Sequence, residues 1–213
     1  MTSPLGLHSC LKSFAASPLA PWASLDPWEI TSRSEAIVRE LLADLPAGEF
    51  RIKGEIAVHR SATIEAGAVL KGPLILGAGC LVASGAYLRG GNWIAADCIV
   101  GPGAELKSSF LFEGTKLAHF NFVGDSLLGS GVNLEAGSIV CNYRNERPGT
   151  EVLVCLGDAL QGTGCLKFGA LIGDGSRLGA NAVLAPGTLL PPGTIIRRAA
   201  LCDQETGSGH GCA

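Results

Sequence analysis

The sequence has few aromatic and few charged residues, 6% and 16% of its 213 positions. The net charge of −3 predicts no broad attraction to nucleic acid or to an anionic membrane. No apolar run approaches the roughly 18 residues needed to span a bilayer. The start of the chain also lacks the cationic and apolar pattern of a secretory leader. We therefore expect a cytoplasmic protein that binds neither nucleic acid nor membrane.

Paired cysteine motifs are missing as well. The eight cysteines are scattered without a CxxC pair, so we interpret them as reduced thiols rather than as a disulfide framework. The four histidines, His8, His59, His119 and His210, are too far apart to be interpreted as a three-histidine zinc site. We therefore expect chemistry that requires no metal.

What the chain does contain is glycine, 30 residues in all, and a six-residue repeat. From Ile64 the hexads are IEAGAV, LKGPLI, LGAGCL, VASGAY, LRGGNW, IAADCI, VGPGAE, LKSSFL, FEGTKL and AHFNFV. The phase slips near 124–127, resumes at Leu128 and returns from Leu166 after a gap. Hexads are typical of a parallel β-helix, in which three short strands make one coil and the first residue of each hexad points inward. Residues 51–200 are therefore predicted to form an all-β domain of this type.

Several segments lie outside the period. Residues 26–45 are predicted to form an amphipathic helix within an N-terminal extension, 1–50, and to cover one open end of the β-helix. Residues 144–164 are out of phase and predict an inserted loop, of the length that is often functional. The ends, 1–23 and 207–213, are expected to be disordered, and 201–213 to form a flexible tail.

Three cations recur along one predicted face. Lys71, Arg89 and Lys107 are 18 residues apart, which is one coil, and each occupies the outward second position of its hexad. Such a column is either a solvated surface or an anion site, since stacked cations repel unless an anion lies against them, and arginine grips two phosphate oxygens at once. His119 also falls at a second position, which points it outward and makes it a candidate general base.

These residues carry a resemblance to a known family. The stretches AYLRGG, AELKSS, LAHFNFVGDSLLGSGVNLEAGSIVCNY and KFGALIGD are similar to the acetyltransferase domain of bifunctional glucosamine-1-phosphate acetyltransferase / N-acetylglucosamine-1-phosphate uridylyltransferase. The resemblance covers roughly residues 52–196. It implies a left-handed β-helix, a homotrimer with active sites at subunit interfaces, an amino sugar substrate and acetyl-CoA, or another acyl-CoA, as the donor.

The resemblance also assigns roles to individual residues. It implies that His119 is the general base and that Arg89 and Lys107 hold the substrate's phosphate. The other substrate-binding positions that it implies are Phe122, Asn133, Asn142, Tyr143 and Lys167. It places Asn142 and Tyr143 near the thioester as well, and it places backbone groups of Ala136 and Ala180 against the cofactor.

Two departures from the family pattern leave the substrate open. Phe122 stands where the family has a tyrosine, and residues 146–164 must be an insertion if Lys167 is to match the family's lysine. The function predicted is N-acyl transfer to an amino sugar phosphate or a nucleotide-linked amino sugar. The alternatives are O-acyl transfer, an acyl-carrier protein as donor, and a non-catalytic trimer that binds sugar nucleotides or serves as a scaffold.

Overall fold

The computed structural model describes residues 7–157 and 159–206. Within these residues the strands form three long sheets that wrap around one axis, together with a separate two-stranded hairpin. The fold class predicted from the hexads, a left-handed parallel β-helix with a helical N-terminal segment, is confirmed. No helix in the described part of the chain has the length and apolar character needed to cross a bilayer.

Sheet A contains β1 (Phe50–Lys53), β2 (Ile56–His59), β5 (Leu74–Leu76), β8 (Asn92–Ile94), β11 (Phe110–Leu111), β14 (Leu127–Leu128), β19 (Ala170–Ile172) and β22 (Thr188–Leu190). Sheet B contains β3 (Thr63–Ile64), β6 (Leu81–Val82), β9 (Ile99–Val100), β12 (Lys116–Leu117), β15 (Asn133–Leu134), β20 (Arg177–Leu178) and β23 (Ile195–Ile196). Sheet C contains β4 (Val69–Leu70), β7 (Tyr87–Leu88), β10 (Glu105–Lys107), β13 (Phe122–Gly124), β16 (Ile139–Val140), β21 (Val183–Leu184) and β24 (Leu201–Cys202). The hairpin consists of β17 (Leu153–Leu156) and β18 (Ala159–Gly162).

The interior of the β-helix is a stack of aliphatic side chains, one from each strand. Leu70, Leu88 and Leu106 are paired in register in sheet C and lie in this core, as the hexads predict. Cys80 and Cys98 are also inside it and act as small apolar residues. The seven cysteines within the described residues are all free thiols.

The coil length changes partway along the molecule, and this corrects the predicted phase. Leu106 pairs with Leu88, 18 residues away, but with Val123, 17 residues away, in the next coil. The first slip therefore comes near Ser108 and Ser109, before the predicted one, and Leu111 rather than Phe112 is in the inner core. The prediction that Leu166 begins an inward hexad is also wrong, because its side chain is exposed.

The shorter corner has a local cause. Ser109 and Ser126 are buried there and form a hydrogen-bonded stack, in which the Ser109 N–H donates to Asn92 Oδ1 and the Ser126 N–H donates to Ser109 Oγ. The preceding residues, Ser108 and Asp125, turn the chain through left-handed conformations with φ of 48°. Small polar side chains that satisfy the corner's own amides allow it to close with one residue fewer.

The N-terminal segment packs on a side of the β-helix rather than on its end. It consists of α1 (Leu7–Cys10), two 3₁₀ turns (Phe14–Ala16 and Ala20–Trp22), α2 (Pro27–Ser32) and α3 (Ser34–Ala43). Its apolar side chains form a second core with the outward residues of sheet A, among them Ile75, Trp93, Phe110 and Leu127. The prediction that this segment covers an open end is wrong, because the apolar outer face of sheet A offers more surface to bury.

Two further details differ from the predicted boundaries. The single helix expected over 26–45 is two helices, because Arg33 leaves helical geometry with φ of −101° and ψ of 10°. Residues 7–23 are ordered rather than disordered, since Leu7, Leu11, Phe14 and Leu19 are fully buried. The expected disorder of 1–6 and 207–213 lies outside the described residues.

The C-terminal end and the insertion are also ordered where they are described. Leu201 and Cys202 continue sheet C by pairing with β21, so the expected flexible tail does not begin at 201. The insertion (144–164) contains the hairpin, whose Val152 and Val154 join the second core. The chain then returns to the coil at Phe168, whose ring meets Trp28 edge-on with centroids 5.9 Å apart.

Candidate active site

The three stacked cations lie along sheet C, as predicted, but each already has a partner. The Lys71 Nζ donates to the Tyr87 hydroxyl at 2.6 Å. Arg89 forms an ion pair with Glu105, Nη1 to Oε1, at 3.1 Å on the partly exposed surface. The column is therefore not a row of uncompensated charge, and an anion that binds here must share Arg89 and the next cation, Lys107, with carboxylates.

Lys107 lies at the end of β10 and belongs to a buried network at the corner between sheets C and A. Its Nζ donates to both oxygens of Asp125, at 3.1 and 3.0 Å. The same carboxylate accepts a hydrogen bond from Asn142 Nδ2, in the following coil. The structure thus joins two residues for which the resemblance implies different roles, through an aspartate that the sequence analysis missed.

Phe122 borders this network from the first position of β13. A Cβ built on Gly124 would lie 2.6 Å from Asn142 Nδ2 and 3.0 Å from Phe122 Cζ, so both side chains cover the same glycine. The close approach requires a residue without a side chain at 124. Phe122 therefore lies next to Asn142, with Glu105 beside it in register.

His119 lies in the corner that leads from sheet B into sheet C. Its ring is exposed, as predicted, although the corrected phase places it third rather than second after the inward Leu117. Its backbone is fixed on both sides, because its N–H donates to Asn121 Oδ1 at 3.1 Å and its carbonyl accepts the Gly137 N–H at 2.9 Å. A well-held backbone that carries an accessible imidazole is the arrangement that a general base needs.

The insertion begins at the same corner as the Lys107 network. The Tyr143 hydroxyl accepts the Gly149 N–H at 3.2 Å, which fixes the start of the insertion. The Phe168 N–H donates to the Asn142 carbonyl at 3.1 Å where the chain returns. Lys167, which is exposed, is thereby brought beside Asn142, as expected if the intervening residues are an insertion.

Asn133 lies elsewhere, in a groove on the outer face of sheet B. The groove has a volume of about 860 Å³ and is lined by Lys116, Asn133, Arg177, Arg197 and Arg198 among others. Lys116, Asn133 and Arg177 are neighbours in register across three strands. The resemblance groups Asn133 with the substrate site, but within one chain it lies on a different sheet from Lys107.

Glu135 closes one side of this groove. Its carboxylate accepts the Ala180 N–H at 2.8 Å and pairs with Arg198 at 2.8 and 2.9 Å. The Ala180 amide and the Arg198 guanidinium hold the pKa of Glu135 below its ordinary value. The Ala136 carbonyl accepts the Asn181 N–H at 3.0 Å. Backbone groups of Ala136 and Ala180, assigned by the resemblance to the cofactor, thus take part in contacts within the chain.

A buried ion cluster supports the Asn142–Tyr143 corner from behind. Arg144 is 4% exposed, and its two terminal nitrogens donate to Asp203 at 2.7 Å each. Glu205 approaches the same guanidinium at 2.9 Å and also pairs with Arg147. Asp203 raises the pKa of Arg144 above its ordinary value, and Arg144 lowers that of Asp203. The start of the insertion is thereby bound to the end of the described chain.

Comparison with known proteins gives partial matches. No family model matches the chain. A bifunctional sugar-1-phosphate nucleotidylyltransferase/acetyltransferase of Sulfurisphaera tokodaii is 29% identical over 187 residues, which cover 86% of this chain and 46% of that protein. The bifunctional protein GlmU of Carboxydothermus hydrogenoformans is 36% identical over 78 residues, 34% of this chain and 18% of that protein.

The chain thus spans about half the length, or less, of the curated relatives it matches. Among solved structures, a putative acetyltransferase of Bacillus cereus aligns with 68% of this chain and 71% of its own, at 15% identity and a TM-score of 0.39. The relatives carry the names that the resemblance predicts, and this resemblance is confirmed.

Proposed function

We propose that the protein is an acyl-CoA-dependent N-acyltransferase that acts on an amino sugar phosphate or a nucleotide-linked amino sugar. The observation that carries this proposal is that Arg89, Lys107, His119, Phe122 and Asn142 all border sheet C, in its middle coils. Together they supply cations for a phosphate, an exposed imidazole and a partly apolar surface for a sugar ring. Acetyl-CoA is the donor that the similarity to acetyltransferases favours.

In this mechanism, Arg89 and Lys107 hold the acceptor's phosphate and so fix its amino group near His119. His119 accepts a proton from the amine as the amine nitrogen forms a bond to the thioester carbon. Backbone N–H groups near Asn142 stabilise the charge that develops on the carbonyl oxygen. The C–S bond then breaks, and the protonated His119 gives its proton to the leaving thiolate. No cysteine is needed as a nucleophile.

The groove on sheet B fits the donor. Coenzyme A carries a diphosphate and a 3′-phosphate, and the groove presents Lys116, Arg177 and Arg197 on an open surface. Arginine and lysine in such a concave site are suited to phosphate oxygens. Glu135 compensates part of the charge of Arg198 and keeps its guanidinium directed along the groove.

The separation of the two sites on different sheets favours assembly into a homotrimer. Sheet A is covered by the chain's own N-terminal segment, which leaves sheets B and C for contacts between copies. A closed ring in which sheet C of one copy faces sheet B of the next would bring the acceptor site to the donor groove. Phe120, next to His119 and 71% exposed, is the side chain we expect at this contact.

Thiol release from acetyl-CoA tests the activity, with glucosamine 1-phosphate, galactosamine 1-phosphate and UDP-linked amino sugars as acceptors. His119→Gln is expected to lower kcat by about 10²- to 10⁴-fold with the phosphate-bearing acceptor. His59→Gln is the matched control, since His59 lies on β2 and bonds only locally to Ser61, and its kcat should match the wild type. An absence of CoA release with every acceptor would favour the non-catalytic alternative.

Oligomeric state is tested separately by light scattering coupled to size exclusion. Phe120→Asn preserves the left-handed backbone of this residue, with φ of 51°, because asparagine tolerates that region. It is expected to shift mass from trimer to monomer. Ile52→Asn replaces an equally exposed apolar residue on β1, outside the contact, and should leave the mass unchanged. A monomeric wild type would refute the assembly.

A further inference from the structure

We propose that Asp125 is a positioning residue that ties Lys107 to Asn142, so that the group holding the acceptor's phosphate and the group beside the thioester keep one fixed separation. This inference rests on the proposed function for the meaning of the two partners. The tie itself rests on the contacts of Asp125.

Asp125 is held from every side. It follows β13 at the corner between sheets C and A, and its carboxylate is 8% exposed. Both oxygens accept from Lys107, and Asn142 donates to one of them. Its own N–H donates to the Lys107 carbonyl at 2.9 Å, and its carbonyl accepts the Gly169 N–H at 2.9 Å. Three successive passes of the chain therefore meet at one residue.

The backbone of Asp125 supports a role beyond filling space. Its φ of 48° lies in the left-handed region, which costs free energy for a residue with a side chain and which aspartate and asparagine tolerate best. Glycine would turn this corner without strain. The corner instead carries a carboxylate, which is the one feature that lets it bind a lysine and an amide together.

The charge of Asp125 has a consequence for ligand binding. In the absence of ligand it compensates Lys107, so a phosphate that reaches Lys107 also meets a nearby carboxylate of the same sign. Like charges at this distance weaken the binding of the anion. Asp125 therefore lowers the affinity for phosphate and in exchange fixes the geometry in which the reaction proceeds.

This opposition predicts a split between binding and turnover. Asp125→Asn keeps the size and the left-handed backbone but removes the charge. Calorimetry with glucosamine 1-phosphate, and with inorganic phosphate, is expected to show roughly threefold to tenfold tighter binding. With acetyl-CoA, kcat is expected to fall by about 10- to 100-fold, since a small misplacement of a positioned group costs this much. A merely structural residue would not improve binding while it lowers kcat.

Two variants keep the test sharp. Asp97→Asn is the matched control, because Asp97 is an exposed aspartate with φ of 57° at another corner; it should leave both quantities unchanged. In Lys107→Met/Asp125→Asn the gain in phosphate affinity should vanish, since it acts through Lys107.

The possible failures are distinguishable. Equal losses of affinity and kcat in Asp125→Asn, or no change in either, would overturn the positioning role while the proposed function stands. If the wild type releases no CoA with any acceptor, the proposed function falls. Tighter phosphate binding by Asp125→Asn would then still support the tie to Lys107, and unchanged binding would overturn it.

Discussion

Removing the charge of Arg144 should destabilise the protein far more than removing an exposed arginine. Arg144→Met keeps most of the buried volume but leaves the carboxylates of Asp203 and Glu205, 10% and 8% exposed, without their central partner. Breaking a buried ion pair from one side costs about 3–5 kcal/mol. For a chain of this length we expect the thermal midpoint to fall by roughly 6 to 20 °C.

The matched control is Arg39→Met. Arg39 also makes a close contact with a carboxylate, 2.6 Å to Glu55, but about half of each side chain is exposed. Water screens such a pair, so its loss should leave the midpoint nearly unchanged. Circular dichroism melts of both variants give the comparison. Hydrogen exchange should locate the loss of protection in 142–147 and 201–206.

The pH dependence of the effect follows from the lowered pKa of Asp203. Its hydrogen bond with Arg144 favours the ionised form, so the stabilisation is present above its ordinary pKa of 3.8 and is lost as the pH falls through the lowered value. The gap in unfolding free energy between wild type and Arg144→Met should therefore narrow in strongly acidic solution. A variant that melts with Arg39→Met at neutral pH would refute the reasoning.

Three further predictions concern other parts of the molecule. Phe14→Ala removes a fully buried ring that lies 5.9 Å from that of Phe112, and urea unfolding should show a loss of about 3–5 kcal/mol; no loss would mean that the N-terminal segment is not anchored. Phe122→Tyr adds a hydroxyl beside the acceptor site and should lower the acceptor's KM by roughly threefold to tenfold, with the donor's KM unchanged. Lys116→Met/Arg177→Met should raise the KM for acetyl-CoA by about tenfold or more, less at high salt, and an unchanged KM would exclude this groove as the donor site.

The hexad period predicted the β-helix because each coil repeats the same inward position. It could not reveal the slip at Ser108–Ser109, since Phe112 is as apolar as Leu111 and either residue could occupy the inward position. The packing of the N-terminal segment did leave a signal. Outward positions of sheet A, such as Trp93 and Phe110, are apolar, whereas the equivalent positions of sheet C include Glu105. An outward apolar stripe on one sheet alone indicates a covered face.

The candidate site was predictable in part. The spacing placed Arg89 and Lys107 in one column, and the structure keeps them there. Asp125 was missed although it lies one coil after Lys107, because only cations were followed along that row. The pairing of Arg144 with Asp203 joins residues 59 positions apart. No local pattern encodes such a contact, since it depends on where the insertion returns and where the last coil ends.

The second core also constrains how the chain is made. Leu7, Leu11 and Phe14 are synthesised first, but the surface that buries them includes Phe112, and the carboxylate that accepts the Lys12 amide belongs to Asp174. The N-terminal segment must therefore remain undocked on the nascent chain until most of the β-helix has been translated. A ribosome stalled in the early coils would display an apolar segment that has not yet found its partner, a natural target for chaperones.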